Sequence, residues 1–249
     1  MPTALITGAT AGIGAAFARR LAADAFSLVL VARDELRLAR TAEQLRLRYG
    51  VEVEVLAADL ASDEGIARVE SRLRDGVDLL VNNAGFGNAG SFPEAPVADE
   101  LRMLKVHCEA VLRLTLAALP AMRKRGRGAI VNVASAAAFF TRGTYGASKA
   151  WVVSFSEAAA HMVGHPRIRI MALCPGFVRT EFHQRAGMDS SGIPGPLWLK
   201  ADDVVRGAMR DLALSKSVSI PSLRYKVVVA VGRLVPRRVQ AMVSARIGR

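Results

Sequence analysis

Tyr145-Gly146-Ala147-Ser148-Lys149 sets a phenol and an ammonium four residues apart. In a helix the two side chains lie on one face and become neighbours. A fixed positive charge favours phenolate over phenol and lowers a tyrosine pKa from about 10 toward working pH. That is what a general acid–base tyrosine needs. Tyr-x-x-x-Lys alone is a common chance pairing, so its weight rests on what the remaining elements bring beside it.

Those elements are legible as apolar runs near residues 4–7, 27–32, 51–57, 77–81, 129–134, 168–173 and 218–220. Several are continuously apolar, as strands buried on both faces are. Amphipathic stretches near 13–24, 34–48, 62–75, 98–124, 144–164 and 201–214 predict helices between them. The alternation predicts an α/β fold, a single Rossmann-type, doubly wound parallel sheet of about seven strands with helices on both faces. Ligands of such sheets bind beyond the carboxyl ends of the strands, so the residues after each run are the ones to inspect.

After the first run, Gly8, Thr10, Gly12, Ile13 and Gly14 form a glycine-rich turn leading into a helix. Glycines there permit close approach of backbone amides to a phosphate at a helix N-terminus. The spacing is Gly-x-x-x-Gly-x-Gly, which differs from the Gly-x-Gly-x-x-Gly fingerprint. Arg33-Asp34 follows the second run. An acid at this place binds the ribose hydroxyls of NAD, whereas an arginine accommodates the extra phosphate of NADP. Arg33 comes first and is the better placed, with Arg37 and Arg40 as helpers. The alternative has Arg33 solvated and Asp34 favouring the helix dipole. Asp59-Leu60 follows the third run, Asn82-Asn83-Ala84-Gly85 the fourth, Ser135 the fifth, and Pro175-Gly176-Phe177-Val178-Arg179-Thr180 the sixth. Each alone is ordinary turn chemistry. Together, all at strand ends and in order, they are hard to attribute to turns.

Over residues 3–220 this set resembles the short-chain dehydrogenase/reductase family, in particular its NADP-preferring ketoreductases. The resemblance implies that the glycine loop holds a pyrophosphate, that Asp59 and Leu60 border the adenine, and that Asn83, Ala84 and Gly85 border the cofactor. It implies that Ser135, Tyr145 and Lys149 are catalytic, Lys149 also holding the nicotinamide ribose. Pro175, Gly176, Val178 and Thr180 would border the nicotinamide. The implied activity is hydride transfer between NADP(H) and a carbonyl or alcohol, with Tyr145 as proton donor or acceptor and no metal. A non-catalytic NADP-binding sensor or assembly protein of the same fold is the alternative. Two departures stand out. His107 occupies the place of the asparagine whose backbone carbonyl helps the family's proton relay; the histidine either joins that relay or is a packed residue. The Ser135–Tyr145 separation is also about three residues short, which reads as a trimmed loop around Phe139-Phe140-Thr141.

The segment near 181–200 carries the family's substrate-covering insert. Phe182, Met188, Ile193, Pro194, Pro196, Leu197, Trp198 and Leu199 give it an apolar character. An irregular lid over a lipid-, steroid- or acyl-like substrate fits this, as does a loop packed on its own domain. The chain bears a net charge of +12, and residues 215–249 hold eight basic residues and no acid, leaving +4 for the rest (12 − 8). This divides the chain into a catalytic domain over 1–220 and a basic extension over 221–249. In the extension 227–231 is apolar, Gly232 interrupts, Pro236 breaks any helix, and Val239, Met242, Val243 and Ile247 recur at helical spacing among Arg237, Arg238 and Arg246. A basic amphipathic segment of this kind lies in an anionic membrane interface, packs on its own domain, or meets a second subunit. No aromatic stacking array or recognised module supports nucleic-acid binding. The start of the chain lacks a basic leader, no apolar run reaches membrane-span length, and Cys108 and Cys174 sit in apolar surroundings. A cytoplasmic homo-oligomer with free thiols, peripheral at most at the inner membrane surface, is expected.

Overall fold

A computed structural model describes residues 1–88, 94–187 and 192–235. Among the described residues the strands are β1 (Thr3–Thr7), β2 (Ser27–Ala32), β3 (Val53–Ala57), β4 (Leu79–Asn82), β5 (Gly128–Val133), β6 (Ile168–Leu173) and β7 (Val218–Ser219). They form one parallel sheet in the order β3-β2-β1-β4-β5-β6-β7. The chain winds outward from β1 to β3, returns to the centre, and winds the other way from β4 to β7. The reversal leaves a crevice at the carboxyl ends of β1 and β4, where ligands of such sheets bind.

The helices are α1 (Gly12–Ala23), α2 (Glu35–Tyr49), α3 (Asp63–Arg74), α4 (Val97–Leu104), α5 (Ala110–Arg125), α6 (Gly143–Met162), α7 (Phe182–Arg185), α8 (Ala201–Ala213) and α9 (Leu223–Leu234). Successive strand side chains point to opposite faces. Ala4, Ile6, Leu28, Leu30 and Val81 therefore enter one core, with Phe17 and Leu21 of α1, Leu38 of α2 and Val204 of α8. Leu5, Val29, Val31, Leu80 and Ile130 enter the other, with Ile66 and Leu73 of α3 and Leu114 and Met122 of α5. This division is why the strands read as unbroken apolar runs.

The predicted elements lie within two residues of the observed ones, with two exceptions. The helix expected over 98–124 is divided, because a π-helical turn over Lys105–Glu109 separates α4 from α5. Such turns insert one residue into a helix and re-aim side chains, often at functional sites. The other exception is Gly232, which does not interrupt the last helix: α9 runs through it to Leu234. A Cβ at Gly232 would stand 2.3 Å from the Phe140 ring, so the glycine serves close packing of α9 on the loop after β5. Residues 236–249, including Val239, Met242, Val243 and Ile247, lie outside the described residues, as does Met188. Cys108 and Cys174 are free thiols, and burial pushes Cys174 up to about 12.

Candidate active site

The glycine turn is built by exclusion. A Cβ on Gly14 would stand 2.2 Å from the Gly8 carbonyl oxygen, and Gly8 has a φ of +66°. Only glycine lets α1 start this close to the end of β1. Ala11, at the N-cap of α1, supplies no side-chain hydrogen bond, and the first turn contains no acid. The free amides and positive end of the helix therefore suit an anion. Asn83 fastens the turn to β4, donating from Nδ2 to the Thr7 and Gly8 carbonyls at 2.8 and 3.2 Å. Thr7 Oγ1 in return accepts the Asn83 and Ala84 amides, each at 2.9 Å. Thr10 and Ile13 lie part-buried in the same loop. Thr180 closes it from the far side, its methyl 2.9 Å from where a Gly12 Cβ would be. A cradle that methyl groups would fill, lined by unclaimed amides, fits the pyrophosphate of a dinucleotide.

At the end of β2 the roles separate. Asp34 accepts the Arg37 amide at 2.9 Å and caps α2. Arg33 is exposed and makes no hydrogen bond or ion pair among the described residues. Arg37, expected to assist Arg33, is instead committed to the Glu181 carboxylate through both of its terminal nitrogens. Arg40 is exposed. After β3, Asp59 Oδ1 accepts the Ala61 amide at 3.0 Å, while Leu60 is buried in the second core.

Ser135 follows β5 and caps a short 3-10 turn over Ala136–Phe139, its Oγ accepting the Ala137 amide at 3.1 Å. That leaves the hydroxyl proton to donate. Tyr145 stands in the first turn of α6, near enough to Ser135 for that hydroxyl to favour its ionised form, so the shortened loop still brings the two together. Lys149 is buried, and its Nζ donates to the Val133 carbonyl at 3.0 Å while standing 5.9 Å from the Tyr145 ring centroid. The expected lowering of the phenol by Lys149 is not what this arrangement gives. Burial pushes Tyr145 above its ordinary value of 10, partly offset by the Ser135 hydrogen bond and the Arg142 charge. Burial also pulls Lys149 down to about 8, which still leaves it an ammonium at neutral pH.

His107 is fully buried at the π-helical turn. Its Nε2 accepts the Phe86 amide at 3.2 Å, so the ring proton sits on Nδ1, 2.9 Å from Ser148 Oγ. Ser148 then donates to the Tyr145 carbonyl at 2.8 Å. Burial and the nearby Lys149 charge hold the imidazole well below 6.5. With both nitrogens taken, the side chain braces α6 against the loop after β4. Gly85 makes room for it: a Cβ there would lie 2.9 Å from His107 Nε2.

Aromatic rings gather beside Tyr145. Phe182 stands 6.0 Å from Tyr145, centroid to centroid, and His183 lies 4.9 Å from Trp198 and 5.7 Å from Phe177. Val178 bridges to Leu199, which ties the carboxyl end of the segment expected as a lid to its own domain. Pro175 accepts the Ala136 amide at 2.8 Å, tying that segment to the turn after Ser135. Sequence reasoning missed Tyr225, whose hydroxyl accepts the Phe177 amide and donates to the Leu197 carbonyl, each at 2.9 Å. Its ring lies where a Gly176 Cβ would be, 1.9 Å from that position. No local motif marks Tyr225; the only signal is an aromatic residue in a helix whose partners are 28 and 48 residues upstream.

The profile of the family described as short chain dehydrogenase matches residues 2–190. A Streptomyces violaceoruber protein bearing the name of a granaticin polyketide synthase ketoacyl reductase is 39% identical over 204 residues, covering 77% of this chain and 73% of its own. Among solved structures, a short-chain dehydrogenase from Sphingobium yanoikuyae in complex with NADPH has a TM-score of 0.85 at 36% identity, covering 99% of this chain and 93% of its own. A short chain dehydrogenase/reductase from Burkholderia phymatum in complex with NAD has a TM-score of 0.80 at 27% identity, covering 92% of each chain.

Proposed function

The chain belongs to the short-chain dehydrogenase/reductase family of oxidoreductases acting on ketone and alcohol groups, and from that premise we propose an NADP(H)-dependent reductase of hydrophobic, acyl-like ketones. The observation that carries this reading is the Ser135–Tyr145–Lys149 cluster at the carboxyl end of β5, on the same sheet edge as the glycine cradle. Gly8, Gly12 and Gly14 would hold the pyrophosphate, Asp59 and Leu60 would border the adenine, and Asn83, Ala84, Gly85, Pro175, Gly176, Val178 and Thr180 would border the nicotinamide half. Arg33, beyond β2 and without a partner among the described residues, would meet the additional phosphate. The bound dinucleotide supplies the hydride.

The chain's own part is position and proton supply. Ser135 turns its hydroxyl proton toward the carbonyl oxygen and stabilises the charge that develops there. Tyr145 donates its proton to the same oxygen. A phenol held above 10 is protonated at neutral pH, the form a reductase requires of its acid. Lys149 uses one N–H on Val133 and has two left for ribose hydroxyls. Phe177, Phe182 and Trp198 supply the apolar wall that favours a lipophilic substrate. The stacked, partly exposed Trp151–Phe155 pair on α6 supports self-association.

The test is oxidation of NADPH, with NADH in parallel, against 3-oxoacyl thioesters and hydrophobic ketones. Turnover is expected in the parent and to be lost in Tyr145→Phe, and Arg33→Ala is expected to narrow the preference for NADPH. Turnover that survives Tyr145→Phe would refute the mechanism. Tight NADPH binding with no turnover across the panel would return the non-catalytic reading.

A further inference from the structure

The last described helix has two faces with different occupants. Tyr225, Val229 and Gly232, spaced by four and three, are buried against Ala136, Phe139, Phe140 and Leu197. Leu223, Val227, Val231 and Leu234 recur at the complementary positions and are 76, 55, 56 and 85% exposed. Four large apolar side chains in one stripe, with no described partner, need cover. The stripe is flanked by exposed Arg224 on one side, which also donates to the Pro196 carbonyl, and by exposed Lys226 and Arg233 on the other, Arg233 lying 4.6 Å over the Phe139 ring; residues 215–249 contain no acid.

We propose that α9 docks the protein on an anionic lipid surface, its apolar stripe entering the interface and its bases meeting the headgroups. An apolar stripe with basic flanks matches such an interface. A second copy is the weaker occupant. Two α9 faces set against each other would oppose Arg224, Lys226 and Arg233 with their own kind, with no carboxylate in the segment to relieve them. The opposite face explains why the site would benefit. Through Tyr225 the helix is hydrogen-bonded to Phe177 and Leu197, part of the proposed wall of the substrate region. Docking would thus bring a lipophilic substrate's entrance to the membrane. Only this last consequence rests on the reductase reading; the docking itself does not.

The full-length protein is sedimented with vesicles of phosphatidylcholine alone and with vesicles containing one third phosphatidylserine or phosphatidylglycerol. Binding is expected only to the anionic vesicles, weakened by 0.5 M NaCl. It is expected to fall by at least about tenfold in Val227→Glu/Val231→Glu, because the stripe carries the insertion. Leu234→Glu, at a separate exposed position, is expected to weaken it in the same direction, and circular dichroism checks that both variants keep the fold. Failure to bind either vesicle, equal binding to both, or binding unchanged in the glutamate variants would each overturn the proposal. So would a concentration-dependent dimer that the same variants dissolve without any vesicle binding, which would assign the stripe to a second copy. Every readout is binding or mass, so a failed reductase assay would leave the result standing.

Discussion

Replacing His107 by asparagine should make the protein less sensitive to acid. The imidazole is fully buried, its Nε2 already accepts the Phe86 amide, and the Lys149 ammonium is close enough to oppose a second positive charge. Its folded-state pKa therefore lies well below 6.5, whereas in the unfolded chain it titrates near 6.5. Below that pH the unfolded state binds a proton that the folded state refuses. Stability from this group is complete above pH 6.5 and is lost as pH falls beneath it. For a native pKa far below the range, one such site costs about 1.3 kcal/mol between pH 7 and 5.5, approaching about 1.4 kcal/mol per further unit. In a chain of this length that is roughly 3–5 °C in Tm. Parent and His107→Asn are melted at pH 7.0, 6.0 and 5.5, and the quantity compared is the difference of differences. His183, also lowered by burial, contributes equally to both and cancels. Whatever the variant loses at pH 7 through the Phe86 amide, its acid slope should be shallower by about this amount. Parallel curves would mean that His107 takes up a proton inside the fold, and the assignment of its tautomer would be wrong.

Gly14→Ala places a methyl group 2.2 Å from a backbone carbonyl oxygen that cannot step aside, so α1 must withdraw from the loop. Dinucleotide binding, followed by fluorescence titration, should weaken by at least about tenfold; unchanged affinity would remove the cradle from the site. Tyr225→Phe keeps the ring beneath Gly176 but leaves the Phe177 amide and Leu197 carbonyl without partners, which should cost about 1–3 kcal/mol in denaturant unfolding. Because those groups belong to the proposed substrate wall, KM for a hydrophobic ketone should rise more than kcat falls, and an equal change in both would make Tyr225 a packing residue only.

What was legible in the chain divides along a physical line. The doubly wound sheet could be read because its strands are buried on both faces and its helices on one, so the burial periods are written in consecutive residues. The candidate site residues could be picked out because the fold puts chemistry at strand ends, and strand ends are local: Gly8, Asn83, Ser135 and Pro175 each follow an apolar run. What escaped were relations between segments. Arg37 looks like a helper of Arg33 until Glu181, 144 residues later, takes its guanidinium. Lys149 looks like the group that sets the Tyr145 phenol until burial of the phenol itself raises it. Gly232 looks like a helix breaker because propensity counts its backbone freedom, whereas the fold uses its missing side chain to seat Phe140. The same logic explains His107. A histidine inside an amphipathic stretch carries no sign of its tautomer, and only the Phe86 amide and Ser148 hydroxyl, brought from two other elements, fix which nitrogen holds the proton. A donor's identity is thus local, while its protonation state belongs to the neighbours that folding selects.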